Sequence, residues 1–288
     1  MAKLLMMRGL PASGKSTRAK EIMREAGNMV RVNRDELRPM LHGGAKWSGK
    51  KEKITRHVQR AMVVDLLDND YSVIVDDTNL RAADEERWRH VSGECNASFE
   101  VVDMDTPYEV CVDRDLSRDD GVGVHVVTSM ALSSGRFPYR SIVLCDIDGT
   151  IADLSHRLHY VNGEKRDWDA FFAEVGDDDF RRDVWERVVS DARAHDARII
   201  FLSGRSDVAR DDTETWLWQH CGGDIDIPIV LMRREFDRRP DTEVKRDIFE
   251  WNFGGYNIVR VYDDRPRLVR MWREMGLDVV DCGDGIDF

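Results

Sequence analysis

The segment Gly9-Leu-Pro-Ala-Ser-Gly14-Lys15-Ser16 lies between a short apolar run, Lys3–Met7, and a stretch of helix-favouring residues from Lys15 to about Glu25. This arrangement matches the P-loop pattern G-x-x-x-x-G-K-[ST] between a strand and a helix. Glycines let backbone N–H groups approach phosphate oxygens, and the amino terminus of the helix adds positive potential. The segment therefore predicts a nucleoside triphosphate site, with Lys15 on the β/γ-phosphates and Ser16 on Mg²⁺. The residues expected to bind the nucleotide here are Gly9, Ser13, Gly14, Lys15, Ser16 and Thr17.

A second phosphate motif, Asp146-Ile-Asp148-Gly149-Thr150, follows the apolar run Ser141–Cys145. Residues i and i+2 of an extended strand end point to the same side, so both carboxylates are expected to face one substrate. Asp146 can then attack phosphorus, while Asp148 protonates the leaving oxygen and later activates water. The pattern predicts a phosphatase that works through an aspartyl phosphate.

Composition limits the class of protein. The chain has 288 residues, 42% of them hydrophobic, which is enough for two domains with their own cores. No apolar run approaches the roughly 18 residues of a membrane span, so a soluble cytoplasmic protein without a membrane partner is expected. Five scattered cysteines fit a reducing compartment better than a disulfide framework or a zinc site. The net charge of −12 argues against nonspecific coating of a duplex but leaves room for a local basic groove.

Strands and helices alternate through both halves of the chain, which predicts an α/β fold with parallel sheets. Ser133–Arg140 contains small and polar residues, a glycine and a proline just before a new strand, and is the best linker candidate. We therefore expect two domains, residues 1–137 and 138–288. In the second domain, three strands end in polar residues at the edge where open α/β sheets place their active sites.

Three further groups in the first half suggest kinase chemistry. In Asn33-Arg34-Asp35-Glu36-Leu37-Arg38, Asp35 can accept the proton of an attacking hydroxyl and Arg38 lies on the same helical face. Asp76-Asp77-Thr78-Asn79 ends a hydrophobic strand, as a Walker B carboxylate does. Arg114 and Arg118 are one helical turn apart before a glycine-containing break and can reach ATP from a moving segment. A solvated helix start, an Asx turn and a solvated arginine face are the respective alternatives.

Together these residues resemble the 5′-hydroxyl kinase module of the bacteriophage polynucleotide kinase–phosphatase family. The resemblance implies that Asp35 is the general base and that Arg38 holds the acceptor strand's phosphate. It implies that Asp77 supports the acceptor site and that Arg118, less securely Arg114, lies on the ATP phosphates. The resemblance covers nearly the whole chain and keeps the kinase before the phosphatase.

The second half resembles the haloacid dehalogenase superfamily, whose remaining motifs follow in order as Ser203-Gly204-Arg205, Lys245 and Asp263-Asp264. The resemblance implies that Ser203 and Lys245 bind the phosphoryl group. Mg²⁺ is expected on Asp146, the Asp148 carbonyl, and one or both of Asp263 and Asp264. Singly, each motif has an ordinary alternative, such as a strand-end turn or a solvated lysine. The implied fold is a P-loop NTPase-type parallel sheet followed by a haloacid dehalogenase-like Rossmannoid sheet with a small cap insertion.

The cap is expected between Asp153 and Phe172, where the sequence departs from the bacteriophage enzymes in being less basic and more aromatic. His156 and His159 could be metal ligands, although a solvated cap helix is the stronger interpretation. Arg157 and Arg166 are candidate contacts to a nucleic-acid backbone.

The sequence contains two other features of interest, a basic cluster and a pair of tryptophans. The basic cluster Arg233–Arg239 is either a track for strand phosphates or a salt-bridged loop. Trp216 and Trp218 fall on opposite faces of a strand and are interpreted as core rather than as base-stacking platforms.

These predictions combine into a bifunctional end-healing enzyme that uses ATP and Mg²⁺. It phosphorylates 5′-hydroxyl ends of RNA or DNA and removes 3′-phosphates or 2′,3′-cyclic phosphates. The products suit a ligase, so a functional partnership with an RNA ligase is expected, and family resemblance implies a homo-oligomer. The alternatives are a small-molecule or nucleoside kinase fused to a nucleotide phosphatase, since both folds serve many substrates, and a non-enzymatic binding protein with relic sites.

Overall fold

The computed structural model describes residues 1–44, 48–162 and 165–283. The chain divides into two compact units, Met1–Ser134 and Gly135–Phe288. No helix in the described ranges is both long and apolar enough to cross a membrane.

The first unit is a parallel sheet with helices around it. Its strands are β1 (Lys3–Arg8), β2 (Met29–Val32), β3 (Ser72–Val75) and β4 (Ser98–Asp103). Its helices are α1 (Lys15–Ala26), α2 (Arg34–His42), α3 (Gly49–Asp68), α4 (Ala82–Glu94), α5 (Tyr108–Leu116) and α6 (Val124–Ser133). The strand order is β2-β3-β1-β4, and every pairing is parallel.

The sequence of β1 explains why this strand is central. Successive side chains of a strand point to opposite faces. Leu4 and Met6 therefore pack in one core cluster, whereas Leu5 and Met7 pack in another on the opposite face. A strand covered on both faces needs a continuous apolar run, which Leu4–Met7 supplies.

The second unit is also a parallel sheet with helices around it. Its strands are β5 (Ser141–Cys145), β6 (Ala152–Asp153), β7 (Asp179–Phe180), β8 (Arg198–Ser206), β9 (Val230–Arg233), β10 (Asn257–Asp263) and β11 (Val279–Asp281). Its helices are α7 (Trp168–Ala173), α8 (Arg182–Ala194), α9 (Arg210–Cys221), α10 (Asp241–Asn252) and α11 (Pro266–Glu274). Five strands form a parallel sheet in the order β11-β10-β5-β8-β9, and β6 pairs with β7 in an antiparallel ribbon.

The predicted α/β class with parallel sheets is confirmed in both units. The expected cap segment contains a 3₁₀ helix, Ser155–Tyr160, and α7, which share a small apolar cluster of Leu154, Val161 and Phe171. Residues 163 and 164 of that segment lie outside the described residues.

The interpretation of the two tryptophans as core residues is confirmed for Trp216 and wrong for Trp218. Trp216 and Trp218 lie on α9 rather than on a strand. Trp216 is buried and donates from Nε1 to the Asp178 carbonyl at 2.8 Å, whereas Trp218 is 54% exposed. The buried residues of α9 recur at the three- and four-residue spacing of a helix; they are Thr213, Trp216, Leu217 and Cys221.

Candidate active sites

The P-loop lies at the carboxyl end of β1, and its backbone is fixed by local hydrogen bonds. The Gly9 N–H donates to the Thr78 carbonyl at 3.1 Å, next to the end of β3. Gly14 has a φ of 91°, in the left-handed region that favours glycine, and it caps the amino terminus of α1. The loop therefore presents the first turn of α1 to the end of the sheet, as phosphate binding requires.

Lys15 is the cation of this loop and is almost buried. Its Nζ donates to the Leu10 carbonyl at 2.6 Å and to Ser13 Oγ at 3.4 Å, both within the loop. Burial lowers the pKa of Lys15, and the charges of nearby carboxylates, Asp76 first among them, counter this effect. The ammonium group is thus held at the loop by two neutral oxygens, which a charged phosphate oxygen can replace.

Arg114 is close to the P-loop, as the sequence suggested. Its Nη1 lies 3.8 Å from the position that a Cβ on Gly14 would take. The following turn is tied down by the buried Asp115, whose carboxylate accepts from Val122 N at 3.0 Å and Gly123 N at 2.8 Å. Arg118 lies exposed in this turn, and no ion pair to it is seen among the described residues.

The two aspartates after β3 have different partners. Asp77 accepts from Arg34 Nε at 2.9 Å and from Gln59 Nε2 at 2.7 Å, which links the end of β3 to α2 and α3. Asp76 accepts from Arg31 Nε at 2.7 Å through Oδ2, while its buried Oδ1 has no hydrogen-bond partner within the described part of the chain. An orphaned buried carboxylate oxygen behind a P-loop fits a hydrated Mg²⁺.

The predicted acceptor residues lie together on the first turns of α2. The Asp35 side chain is 80% exposed and forms an ion pair with Arg38. Asn33 caps this helix, because its Oδ1 accepts from the Glu36 N–H at 3.0 Å. The cap therefore fixes the start of α2 and with it the position of Asp35. The structure thus brings together the proposed base and the proposed phosphate-binding arginine.

Sequence reasoning missed Glu52, which holds the arginines of this site from α3. It accepts from Arg38 Nε at 2.9 Å, from Arg34 Nη1 at 2.8 Å and from Arg56 Nε at 3.4 Å. Burial alone would raise the pKa of Glu52, but the hydrogen bond and charge of Arg38 and the charges of Arg34 and Arg56 outweigh it and lower the pKa. Glu52 stands in the run Lys50-Lys51-Glu52-Lys53, where nothing distinguishes it from a solvated charge.

In the second unit, Asp146 follows β5 and meets Lys245 from α10. Lys245 Nζ lies 2.7 Å from Asp146 Oδ2 and 2.9 Å from Asp263 Oδ2. Trp272 Nε1 also donates to Asp263 Oδ2, at 3.1 Å. Asp146 Oδ1 is buried without a hydrogen-bond partner among the described residues. One oxygen of Asp146 is therefore held by a lysine, and the other is available to a cation or to phosphorus.

Asp146, Asp263 and Asp264 form an acidic cluster whose ligand oxygens all lie within 4.8 Å of one another. Burial and the neighbouring carboxylates raise the pKa of Asp146 well above its usual value and the pKa of Asp264 to about 7. Gly149 has a φ of 75°, and a Cβ there would lie 2.0 Å from Asp264 Oδ2, so only glycine admits this carboxylate. Three close carboxylates and one orphaned oxygen fit a divalent cation bound by oxygen ligands.

Asp148 is held by two buried arginines. Arg205 Nε lies 3.0 Å from Asp148 Oδ2 and Arg205 Nη2 2.8 Å from Oδ1, while Arg157 Nη2 lies 2.5 Å from the same Oδ1. Burial would raise the pKa of Asp148, but the charges of Arg205 and Arg157 overcome this and hold the pKa below its usual range. The Asp148 carboxylate is therefore ionised in this arrangement, which is the form that accepts a proton.

The same two arginines share a second carboxylate, Asp178, which sequence reasoning did not single out. Arg157 Nε lies 2.6 Å from Asp178 Oδ1, and Arg205 Nη2 lies 2.6 Å from Asp178 Oδ2. Two arginines and two aspartates thus form a neutral buried cluster, with Asp178 opposite Asp148. Asp178 belongs to the run Asp177-Asp178-Asp179, where sequence gives no reason to prefer one residue.

The expectation that Arg157 contacts a nucleic-acid backbone was wrong. Its side chain is fully buried, with the guanidinium 4.2 Å above the Phe171 ring and bonded to both aspartates. His156 and His159 do not join a metal cluster within the described ranges; His156 Nε2 lies 3.9 Å from Asp178 Oδ1, and His159 Nδ1 lies 2.9 Å from the His156 carbonyl. Ser203, at the end of the apolar part of β8, is fully buried beside this cluster, where its Oγ accepts from the Arg205 N–H at 3.2 Å.

Known protein families match both halves of the chain. Residues 140–288 match the model described as polynucleotide kinase PNKP phosphatase domain, and residues 4–132 match an AAA domain. The chain is 28% identical over 316 aligned positions to a protein named as a bifunctional polynucleotide kinase/RNA ligase, from Autographa californica nuclear polyhedrosis virus. That alignment covers 99% of this chain and 43% of the viral protein.

An L-seryl-tRNA(Sec) kinase of Methanococcus maripaludis is 24% identical over 44% of this chain and 50% of its own length. The chain thus spans about half or less of the curated relatives it matches. A solved structure of the Pnkp1/Rnl/Hen1 RNA repair complex contains a chain that is 29% identical, with 100% of this chain and 97% of that chain covered at a TM-score of 0.43.

The resemblance to polynucleotide kinase–phosphatases is confirmed by the family model, which covers more than half of the residues. The chain belongs to the family of the polynucleotide kinase PNKP phosphatase domain.

Proposed function

We propose that residues 1–137 transfer the γ-phosphate of ATP to a 5′-hydroxyl end of a polynucleotide. Residues 138–288 remove a 3′-phosphate, and a 2′,3′-cyclic phosphate is a further candidate substrate of the same site. The observation that carries this proposal is that a chain of this family holds two separately built phosphate sites, one behind a P-loop and one around Asp146. Membership of the phosphatase family favours polynucleotide ends over small metabolites.

In the kinase step, Asp35 takes the proton of the 5′-hydroxyl while the oxygen attacks the γ-phosphorus in line, and the bond to the β-phosphate oxygen breaks. The exposure of Asp35 on the first turn of α2 supports this role, since the base must meet the incoming strand. Arg38 holds a phosphate of the acceptor strand. Lys15 and Arg118 stabilise the charge on the transferring group.

In the phosphatase step, Asp146 attacks phosphorus, and the bond from phosphorus to the 3′-oxygen breaks. Asp148 delivers a proton to that oxygen from its protonated form, which requires the carboxylate to give up a contact with Arg157 or Arg205 and take up a proton when the substrate binds. Asp148 then takes a proton from the water that hydrolyses the aspartyl phosphate. Ser203 and Lys245 bind the phosphoryl oxygens. The ion pair of Lys245 with Asp146 supports this assignment, because the lysine offsets the repulsion between nucleophile and phosphate.

Both sites fit Mg²⁺, with Ser16 and Asp76 as the candidate ligands in the first unit and Asp146, Asp263, Asp264 and the Asp148 carbonyl in the second. When bound, Mg²⁺ supplies positive charge against the phosphate oxygens. The orphaned oxygens of Asp76 and Asp146 support both assignments.

The products, a 5′-phosphate and a 3′-hydroxyl, are the ends that a ligase joins. A protein named as both kinase and RNA ligase aligns with 99% of this chain, which supports action on RNA and a functional partnership with an RNA ligase. Repair of DNA ends is the companion hypothesis, since Asp35 and Arg38 are proposed to contact a 5′-hydroxyl and a phosphate, which DNA strands also have.

The test compares polymer with monomer. We expect kcat/KM for a 5′-hydroxyl oligoribonucleotide to exceed that for the matching nucleoside, and kcat/KM for a 3′-phosphorylated oligonucleotide to exceed that for a nucleoside 3′-monophosphate. Equal values for polymer and monomer in both reactions would replace this proposal with a small-molecule kinase fused to a nucleotide phosphatase.

A further inference from the structure

Phe236 combines two features that rarely occur together. It has a φ of 69° and is 76% exposed, more than any other Trp, Phe or Tyr in the described residues. The other non-glycine residues with positive φ in those ranges are Ala12, Asp70, Asn79, Asn96 and Asp196. Asp and Asn tolerate this conformation through short polar side chains, whereas a bulky aromatic does not. The chain therefore holds an apolar ring in water on a strained backbone.

The surrounding loop fixes that conformation. We call residues 234–240, which connect β9 to α10, the β9 loop. Arg233 Nη1 donates into it, to the Asp237 carbonyl at 3.1 Å and to the Arg239 carbonyl at 2.7 Å. The Glu235 N–H donates to Asp207 Oδ1 at 2.5 Å. Backbone strain persists only where the surroundings over-determine it, and such positions gather at functional sites.

The β9 loop is attached to the phosphatase site. Arg233 Nε donates to the carbonyl of Gly204, the residue between Ser203 and Arg205, at 2.8 Å. In the sheet order, β9 lies two strands from β5, which carries Asp146. Two strand spacings amount to about 10 Å, and both strands end at the same edge. A strand whose 3′-phosphate is at Asp146 therefore needs only a few nucleotides to extend along this edge to the β9 loop.

The positive charge of the β9 loop also suits a nucleic-acid strand. Arg238, two residues after Phe236, is exposed, and none of the ion pairs of the described residues involves it. Arg233 and Arg239, in contrast, form ion pairs with Asp241 and Asp247. The basic cluster Arg233–Arg239 is therefore a salt-bridged loop at these two arginines, while Arg238 stays available to a phosphate. An aromatic face beside an unpaired arginine is the combination that single-stranded nucleic acid uses, with stacking for the base and charge for the backbone.

We propose that Phe236 is a stacking platform for a nucleobase of the strand that presents its 3′-phosphate to Asp146. This inference rests on the proposed function and names a specificity-determining residue for it. The strained, hydrogen-bonded backbone holds the ring in place before the strand arrives, so little freedom is lost on binding.

The test uses the whole chain with two substrates, a 3′-phosphorylated oligoribonucleotide and p-nitrophenyl phosphate, which has no base. Phe236→Gly removes the ring but suits the positive φ, and Phe236→Tyr keeps the ring. We expect Phe236→Gly to raise KM for the oligonucleotide by about 5- to 150-fold, the range that a lost base–aromatic stack implies. Its kcat/KM for p-nitrophenyl phosphate and its melting temperature should not fall, and Phe236→Tyr should behave as the wild type.

A second readout reports stacking directly. An oligonucleotide with 2-aminopurine at the 3′-terminal position should be quenched on binding to Asp146→Asn and not to the Asp146→Asn, Phe236→Gly double variant. Tyr71→Ala, which removes an exposed aromatic side chain from the first unit, is the matched control and should change neither substrate's KM.

Three results would overturn the inference. The first is an unchanged oligonucleotide KM in Phe236→Gly with wild-type turnover intact. The second is an equal loss with p-nitrophenyl phosphate, which would indicate a distorted site. The third is a changed sedimentation coefficient with unchanged KM, which would assign the ring to a protein contact. Failure of the wild type itself to act on the oligonucleotide would reject the proposed function and, with it, this inference.

Discussion

At the scale of single residues, Glu52 fixes the positions of Arg34 and Arg38, the arginines next to the proposed base Asp35. One buried carboxylate accepts from both Arg34 and Arg38. Glu52→Gln keeps the shape but removes the charge, and leaving buried charged groups without full partners costs about 1–3 kcal/mol. We expect KM for the 5′-hydroxyl oligonucleotide to rise about tenfold or more, with 3′-phosphatase activity unchanged.

The matched control is Glu94→Gln, which removes a surface ion pair with Arg60. Surface pairs contribute about 0–1 kcal/mol, so this variant should behave as the wild type. An unaltered oligonucleotide KM in Glu52→Gln would show that Arg38 is positioned by Asp35 alone.

The acidic cluster gives the metal-free protein a predictable dependence on pH. Because burial and like charges raise the pKa of Asp264 to about 7, the folded state binds a proton there that the unfolded state releases near its ordinary value. That stabilisation is fully present below the unfolded pKa and is lost as pH rises through about 7. Asp148 has a lowered pKa, so its opposite effect falls below this window.

Thermal denaturation with EDTA checks the prediction. The transition of the second unit should lie higher at pH 5.5 than at pH 8, and Asp264→Asn should reduce the difference. Added Mg²⁺ should stabilise the protein more at pH 8 than at pH 5.5, because protons compete with the cation. A melting temperature that rises with pH in EDTA would contradict the assigned direction.

At the scale of elements, the turn between α5 and α6 contains Arg118 and directly follows the last turn of α5, which carries Arg114; these are the two arginines proposed to contact ATP. Asp115 closes this turn by accepting two backbone N–H groups, from Val122 and Gly123. Asp115→Asn should weaken this closure, raise KM for ATP and lower the kinase kcat about tenfold, while phosphatase activity stays the same. Asp113→Asn, on the exposed side of α5, is the control; a kinase indifferent to Asp115→Asn would separate the turn from catalysis.

Asp178 ties the cap segment to the phosphatase sheet through the arginines it shares with Asp148. Breaking a buried pair by removing one partner costs about 3–5 kcal/mol. Asp178→Asn should therefore lower the melting temperature, and it should also lower phosphatase kcat at least tenfold, because Arg157 and Arg205 lose the partner that orients them. Asp183→Asn at an exposed pair is the control; a destabilised variant with wild-type kcat would make Asp178 purely structural.

The elements themselves were largely predictable. Strands such as Ser141–Cys145 appear within a residue or so of their expected positions, because a strand buried on both faces leaves a continuous apolar run. The acidic and basic residues that follow such strands were predictable for the same reason, since parallel strands deliver their ends to one edge.

Partners supplied by other elements were not predictable. Glu52 and Asp178 each stand in a run of charges, and only the packing of α3 and of the cap segment selects one member of each run. The burial of Arg157 could not be predicted from its neighbours in the sequence, because its charge is balanced by Asp148 and Asp178, which are 9 and 21 residues away. The helix that carries Trp216 is a different case, because its buried residues Thr213, Trp216 and Leu217 already have helical spacing in the sequence.

At the scale of the whole molecule, each compact unit contains one complete constellation: Lys15, Asp35 and Asp77 lie in the first, and Asp146, Lys245 and Asp264 in the second. We therefore expect a substitution in one of these groups to leave the reaction of the other unit unchanged.

The most direct test uses one oligoribonucleotide with a 5′-hydroxyl and a 3′-phosphate, incubated with ATP and Mg²⁺. Wild type, Asp35→Ala and Asp146→Ala are compared by resolving both ends of the product. We expect wild type to convert both ends, Asp35→Ala to fail only at the 5′ end, and Asp146→Ala to fail only at the 3′ end. Wild type that alters neither end, or a single substitution that abolishes both reactions in a folded protein, would contradict it.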